Sequence, residues 1–446
     1  MSSRNAVIIG AGISGLLSAL VLSKEGYSVT IVEKEKHIGG ACRSYNVDGY
    51  CVDSGPHIIT RLEDGPLKRL IDDYFDTVPV FEKHGEYYIR TQSRITPFPW
   101  TLKAFSMFDI IPKLDRIELV QIMLGVYYQR AIGRFDPNLS VRDVIDGRDL
   151  DPRTEQFLDV LCKFMCGAGM EKTPVARFFD SQDYKNKKES PDPLKYVNGM
   201  KNLISKKGAQ DQMYPRGGIQ SLINSICSSF ESAHVSIYKG CEAQRVDVVD
   251  GRVTGVVTKN GTFPADIVIY SSFASRLPEL VESLPYKYKS ELSRLESVVS
   301  LTMWLGLDKI IFTRRGSEVW VDSDVPLWVV PTSLFDKSLA PPGHQVVGFT
   351  TTIDPGADIE NEKKRLFDTV CARLRNIGPH IQMRHFQVLI PEKAAWVVNQ
   401  EMPSCQTPVE GLYLVGTDTT TKSMGVTRSA YSVHNLLDAL RKDGLL

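Results

Sequence analysis

The first residues in this chain whose types and spacing could do chemistry are three glycines. Gly10-Ala11-Gly12-Ile13-Ser14-Gly15 arranges them as G-x-G-x-x-G. The loop follows the short β-rich run Ala6-Val7-Ile8-Ile9 and precedes an apolar stretch from Leu16 to Lys24. Leu16, Leu17, Leu20 and Val21 recur there as one helical stripe. The glycines serve different physical needs. Gly10 allows a tight turn, Gly12 lets a pyrophosphate approach without meeting a Cβ, and Gly15 lets the helix pack close to the strand. The helix start, at Ile13 and Ser14, offers unpaired N–H groups and a partial positive charge to phosphate. Glu33 stands at the end of a second strand over residues 29–32, about 20 residues on, where an acid accepts hydrogen bonds from an adenosine ribose. Lys34 beside it joins the candidate cofactor contacts. Together these residues predict a dinucleotide site on a βαβ unit.

The rest of the chain must supply the sheet that holds this loop. Its 446 residues, 42% hydrophobic and 24% charged, are enough for a large core and two or three domains. Lys plus Arg equals Asp plus Glu, at 53 each, so no global charge draws the chain to nucleic acid or to an anionic membrane. The uncharged run over residues 5–23 is not a membrane span or signal peptide, because the glycines divide it into a strand and a helix. Eight cysteines include no Cys-x-x-Cys pair. Cys162 and Cys166 lack the partners of a zinc site. Reduced thiols in a cytoplasmic compartment and no metal are the expectation.

A second glycine pair narrows the cofactor. With the first loop and Glu33, the run Gly39-Gly40-Ala41-Cys42-Arg43 resembles the extended FAD-binding signature of the flavin amine oxidase superfamily. The resemblance implies that Gly39 and Gly40 pass close to the pyrophosphate and that Arg43 neutralises it. The stretch Asp53-Ser54-Gly55-Pro56-His57 is similar to the D-x-G-P-H segment of phytoene-desaturase-like members. There it runs beside the flavin ring, so Gly55, Pro56 and His57 become cofactor neighbours and His57 the candidate catalytic residue. Tyr214-Pro215-Arg216-Gly217-Gly218-Ile219 resembles the P-x-G-G segment that re-enters the FAD domain. The family then brings backbone near Val246 to the adenine.

At the other end, a strand over residues 412–415 leads into Gly416-Thr417-Asp418 and then Met424-Gly425-Val426, followed by a helix. This resembles the superfamily's C-terminal motif. It implies Asp418, with Gly416 and Thr417, on the ribityl chain. It also implies that the helix start at Met424, Gly425 and Val426 faces the flavin pyrimidine, where reduced flavin carries negative charge.

The expected architecture is α/β: a discontinuous Rossmann-type FAD-binding domain of residues 1–85, 212–285 and 396–446, with an inserted α+β substrate domain of residues 86–211 and 286–395. In the insert, residues 114–130 and 153–166 read as helices. Residues 298–307, 319–321, 328–330 and 345–352 read as strands of an antiparallel sheet. The resemblance to phytoene-desaturase-like and protoporphyrinogen-oxidase-like proteins implies an FAD-dependent oxidoreductase. Its substrate would be lipophilic, an isoprenoid, carotenoid-type molecule or porphyrinogen, oxidised or desaturated by hydride transfer to non-covalent flavin.

A flavin amine oxidase is the alternative, since Gly416-Thr417-Asp418-Thr419 is close to the G-T-E-T of monoamine oxidases. Against it, residues 298–304 hold no lysine, and only Trp396 stands as an aromatic before the last motif. Cys405 lacks the context of a covalent flavin attachment. A non-catalytic flavoprotein is the second alternative, which two intact cofactor motifs disfavour. Trp304, Trp396 and Met424 read as core or pocket wall. Residues 185–189 and 195–207 form a basic patch that reads as a solvated face or a peripheral membrane contact.

Overall fold

The chain is built on a five-stranded parallel sheet. In this computed structural model, which describes residues 4–178, 211–231 and 234–446, the order is Val235–Lys239, Ser28–Glu33, Asn5–Ile9, Ile267–Tyr270 and Leu412–Leu414. The strands are apolar runs because both faces are covered. One face carries the helices Ile13–Lys24, Gln220–Ser228 and Gly425–Lys442. The other carries a three-stranded antiparallel meander, Ala243–Val249, Arg252–Thr258 and Gly261–Pro264. Val246, Val253 and Val256 of the meander pack on Val7, Ile9, Val32 and Val268 of the sheet. Asp250 and Gly251 make its first turn, with φ of 49° and 80°, the two-residue turn that suits twisted strands.

The first helix differs from the one-stripe expectation. It is buried from Ile13 to Ser23, because it lies between the sheet and the helices Gln220–Ser228 and Gly425–Lys442. A helix covered on every side needs no polar face. It ends as its sequence requires. Gly26 takes φ of 86°, its N–H donates to the Ser23 carbonyl at 3.2 Å, and the Tyr27 N–H donates to the Leu22 carbonyl at 3.0 Å. This is a Schellman cap.

The second sheet has seven strands: Ile381–Glu392, Val298–Leu307, Gln345–Ile353, Leu327–Val330, Gly316–Trp320, Glu86–Arg90 and Ile95–Pro97. Its pairs are antiparallel, apart from Gly316–Trp320 with Glu86–Arg90, which run parallel. Helices Lys113–Ala131 and Pro152–Cys166 match the two read from sequence, and Ile359–Arg373 packs on strand Val298–Leu307. The 12-residue strand Ile381–Glu392 is absent from the sequence reading. As an edge strand it keeps one side open, with Val388 and Ile390 exposed, and its polar residues obscure the alternation that marks a strand.

One buried side chain of that edge strand joins the seven-stranded sheet to the segment around residues 44–55. Gln387 Nε2 donates to the Tyr45 hydroxyl at 2.6 Å and to the Asp53 carbonyl at 2.9 Å. Its Oε1 accepts from the Gly55 N–H at 2.8 Å and from Trp304 Nε1 at 3.2 Å. The hairpin Ser44–Val47 and Tyr50–Asp53, which follows the second glycine pair, is thereby tied to the seven-stranded sheet. Gln387→Ala strips partners from buried groups, each of which costs about 1–3 kcal/mol. Urea denaturation is expected to show a loss of about 3 kcal/mol; an unchanged midpoint would contradict this joint.

Candidate functional site

The glycine loop sits at the carboxyl end of the parallel sheet, where open α/β sheets bind ligands. The three glycines differ in what surrounds them. A Cβ on Gly15 would lie 2.1 Å from the Gly10 carbonyl oxygen, which no side chain can do. Gly10 needs its φ of 103°, and a Cβ there would meet the Ser271 carbonyl oxygen at 3.3 Å. A Cβ on Gly12 would meet nothing within 4 Å. That side of the loop is open, as a phosphate cradle requires. Ile13 and Ser14 begin the helix and are both buried.

The second glycine pair lies against the first loop. Gly39 N–H donates to the Ala11 carbonyl at 2.8 Å, and a Cβ on Gly40 would sit 3.2 Å from Gly12 Cα. Arg43 begins beside this turn, its Cγ 3.1 Å from where a Gly39 Cβ would be. Its guanidinium lies 5.9 Å from the Tyr45 ring centroid and has no carboxylate partner among the described residues. A half-buried cation beside two glycine turns, the first of them open at Gly12, is suited to a pyrophosphate.

Glu33 is buried, and it holds the loop itself. Oε2 accepts from the Ala11 N–H at 2.7 Å, and Oε1 accepts from the Glu35 N–H at 2.8 Å. A carboxylate has about four acceptor sites, so capacity for ribose hydroxyls remains beside these bonds. Lys34 points outward toward Glu35, at 4.0 Å. The meander begins next to Glu33, since Cys241 N–H donates to the Glu33 carbonyl at 2.8 Å. Val246 lies in its first strand with a buried side chain.

The C-terminal motif reaches the same end of the sheet. Val415 N–H donates to the Tyr270 carbonyl at 3.0 Å, and Ser271 N–H to the Ile9 carbonyl at 2.9 Å. Asp418 is buried, and its Oδ2 accepts from the Ala274 N–H at 2.7 Å. Its Oδ1 is buried with no partner among the described residues, as is the Ser271 hydroxyl. Burial raises the Asp418 carboxyl above the usual carboxylate range, and Lys393 nearby pulls it back. A cofactor hydroxyl would satisfy that orphaned oxygen. Gly416, with φ of 147°, must lack a side chain: a Cβ would lie 2.6 Å from Asp418 Oδ1 and 2.9 Å from Lys393 Nζ.

Lys393 escaped the sequence reading, which sought a lysine on residues 298–304 and found none. Its Nζ donates to the carbonyls of Ser271 at 2.6 Å and Ser272 at 2.9 Å, and its N–H donates to Thr417 Oγ1 at 2.9 Å. Burial lowers its ammonium from the usual lysine range, opposed by Asp418. No local signal marks it, because it follows the strand Ile381–Glu392 that sequence periodicity did not reveal.

Glu392, just before it, meets the last helix. One of its oxygens accepts from the Gly425 N–H and the other pairs with Arg428 Nη1 at 3.1 Å. Arg428 is itself buried, donating to the carbonyls of Ser423, Ala394 and Thr417. The first amide of the helix is thus engaged by the protein's own carboxylate. Met424 caps the helix in extended conformation, and Val426 is buried.

Gly55, with φ of 76°, faces the substrate sheet: a Cβ there would meet Leu389 Cδ1 at 3.3 Å and Thr302 Oγ1 at 3.9 Å. Pro56 is buried. His57 Nε2 donates to the carbonyls of Ala41 at 3.0 Å and Ser54 at 3.1 Å. That nitrogen is therefore protonated and fastens the second glycine turn to the Gly55 segment, which leaves only Nδ1 for acid–base work. Trp304 is core, and Trp396 lies beneath the Arg177 guanidinium at 5.9 Å. The eight cysteines are free thiols, and the described residues contain no metal-ligating cluster. The basic patch at residues 185–207 lies outside the described residues.

Two glycine turns, the buried Glu33 carboxylate and an orphaned acid oxygen therefore share one end of the parallel sheet. The family model for flavin-containing amine oxidoreductases matches residues 13–432. The chain belongs to that family. It is a flavin oxidoreductase with a Rossmann-type fold. An uncharacterised protein from the nifH2 3′ region of Methanothermococcus thermolithotrophicus is 56% identical over 85 residues, 19% of this chain and 82% of that protein. The 1-hydroxycarotenoid 3,4-desaturase of Flavobacterium sp. (strain P99-3) is 25% identical over 291 residues. That match spans 60% of this chain and only 56% of the desaturase. An oxidoreductase from Methanosarcina mazei has the same fold, with a TM-score of 0.81, 18% identity, and coverage of 98% of this chain and 100% of that one.

The glycines separate stability from cofactor binding. Gly15→Ala forces backbone apart and is expected to cost about 3 kcal/mol of stability. Gly12 has φ of −70°, which alanine adopts freely, so Gly12→Ala is expected to stay within about 1 kcal/mol of the parent while losing FAD affinity by about tenfold or more. Urea denaturation and FAD titration check both, and equal stability losses would reject this division. Asp418→Ala is expected to weaken FAD binding by about tenfold to a hundredfold, the value of about 1–3 kcal/mol for a charge-assisted hydrogen bond; an unaltered titration curve would remove Asp418 from the site.

Proposed function

We propose that the chain holds FAD non-covalently and oxidises or desaturates a lipophilic substrate of isoprenoid, carotenoid or porphyrinogen type. The observation that carries the cofactor reading is the pairing of the open Gly12 face with the orphaned Asp418 Oδ1. These are different segments of the chain at one end of one sheet, and each lacks something a flavin dinucleotide has. Gly10, Gly12, Gly39, Gly40 and Arg43 would hold its pyrophosphate, Glu33 its ribose, and Asp418 its ribityl chain. Cys405 is buried behind strand Leu412–Leu414 in the apolar core, which suits a flavin without a covalent thioether. When bound, the flavin supplies the electron acceptor for C–H oxidation.

The chain's own residues then bind, orient and keep water out. Leu389 and Thr302 line the substrate-sheet wall opposite Gly55, and Thr302 spends its hydroxyl on Thr350 at 2.9 Å. This wall is uncharged and favours an apolar substrate. The carotenoid desaturase relative supports the same class. The amine-oxidising alternative is weakened by Trp396, the one aromatic before the last motif. Arg177 covers its ring, and a guanidinium there repels a substrate ammonium.

Anaerobic mixing with polyprenyl chains, carotenoid precursors, porphyrinogens and mono- or polyamines tests this reading. Loss of the oxidised flavin absorbance is expected with a member of the lipophilic set and not with amines. Rapid bleaching by an amine alone would replace the proposal with amine oxidation.

A further inference from the structure

Helix Lys113–Ala131 is apolar on two opposite faces. Leu119, Val126 and Tyr127 are buried inward. On the outer side Leu114 is 78% exposed, Ile117 48%, Leu124 45% and Tyr128 63%. These four recur at helical spacing on one face. Between them that face carries Gln121 and Gly125, so no charge interrupts it. Ile132 after the helix extends the strip, at 42% exposed, and Met107 in the preceding turn is 64% exposed. A continuous exposed apolar strip of this kind is rare on a surface that meets only water.

The charges around the strip identify its partner. Residues 94–134 contain six Lys and Arg against three Asp and Glu, within a chain of zero formal charge. The three acids are already engaged. Asp109 pairs with Arg94 and Glu118 with Arg148. Asp115 is buried, accepting from the Thr154 hydroxyl and the Asp151 N–H. Lys103, Lys113 and Arg134 remain exposed around the strip; the exposed Asp136 that follows Arg134 accepts from the Asn138 N–H at 2.8 Å. Pairing with a second copy would set these basic margins against each other, which opposes that occupant. An apolar face rimmed by cations is the pattern of a helix lying in the interface of an anionic bilayer.

We propose that the outer face of helix Lys113–Ala131 docks this protein on an anionic lipid bilayer, with Leu114, Ile117, Leu124 and Tyr128 entering the headgroup boundary. Among the described residues no helix is long and apolar enough to cross a membrane, and this attachment lies on the surface. It is a different place from the basic patch at residues 185–207. It does not depend on the substrate, so vesicle binding and flavin bleaching succeed or fail separately.

The test is flotation of the full FAD-loaded chain with vesicles of phosphatidylcholine alone, or with roughly one third phosphatidylglycerol. The parent is expected to float with the anionic vesicles and to bind phosphatidylcholine weakly. L114Q/L124Q should retain flavin and circular dichroism while its bound fraction falls by about tenfold or more. Should that pair lose flavin, the single variants Ile117→Gln and Tyr128→Ser provide the same comparison. No flotation of the parent, or equal flotation of the folded variants, would overturn the proposal. So would a parent that light scattering finds dimeric and the variants monomeric, which would give the face to a second copy.

Discussion

Backbone packed on backbone at the carboxyl end of the parallel sheet is the constraint on which the rest of this structure depends. The Gly10 carbonyl stands where a Gly15 Cβ would go, and Gly40 lies against the Cα of Gly12. Three stretches of main chain, from the first loop, the second glycine turn and Ser271, therefore meet without side chains between them. Such closeness leaves N–H groups and a helix start facing one volume. The loop can be this tight only because strand Asn5–Ile9 is flanked on both sides, by Ser28–Glu33 and Ile267–Tyr270. The helix behind it is buried all round for the same reason. A loop that excludes side chains needs a rigid frame, and the frame is an apolar helix pressed onto an apolar sheet.

Buried carboxylates fasten distant segments to that frame. Glu33 ties the loop to the second strand. Asp53 accepts from Ser44 Oγ, the Tyr214 hydroxyl and the Ile219 N–H, joining the hairpin to strand Gln212–Pro215 and the turn that follows it. Gly218 is a glycine because a Cβ would fall 2.3 Å from Ser44 Oγ at this same joint. Glu392 joins the substrate sheet to the last helix through Gly425 and Arg428. Burial pushes the carboxyls of Asp53 and Glu392 upward, and their hydrogen-bond donors hold them back. An unpaired acid in such a place would cost several kcal/mol. Each of these three has donors on both oxygens, whereas Asp418 has one oxygen left over. That contrast is what supports the proposal that Asp418 faces the cofactor.

The sequence was most legible where one residue type has one physical reason. The glycine loop, the cap at Gly26 and the strands over residues 298–307 and 345–352 could be read directly, because close approach, positive φ and buried β-branched runs restrict the choice of residue. Reading failed where the reason is tertiary. Strand Ile381–Glu392 carries Gln382, Arg384, His385 and Gln387, and its apolar period appears only once the sheet shows which side is covered. Lys393 and Glu392 lie at the end of that strand, so their roles vanished with it. The parallel pairing of Gly316–Trp320 with Glu86–Arg90 joins segments far apart in sequence, and no local pattern encodes it. The helix start at Gly425 was expected to face the flavin, and its first N–H donates to the remote Glu392.

The Glu392 joint bears on how the two sheets communicate. Strand Ile381–Glu392 supplies Gln387 to the Gly55 segment, Leu389 to the wall opposite it, and Glu392 to the last helix. Lys393 then continues to the Ser271 turn beneath the glycine loop. One strand thus touches the region expected to flank a flavin at three successive places. A change that shifts this strand along its axis would move a wall residue, a helix-capping acid and a lysine together. With the cofactor held as proposed, cofactor affinity and sheet docking are linked: a ligand that bridges the glycine loop and Asp418 stabilises the contacts of both, and loosening the strand weakens the ligand in return. The edge strand with the weakest sequence signal is one of the elements through which the seven-stranded sheet is held to the carboxyl end of the parallel sheet.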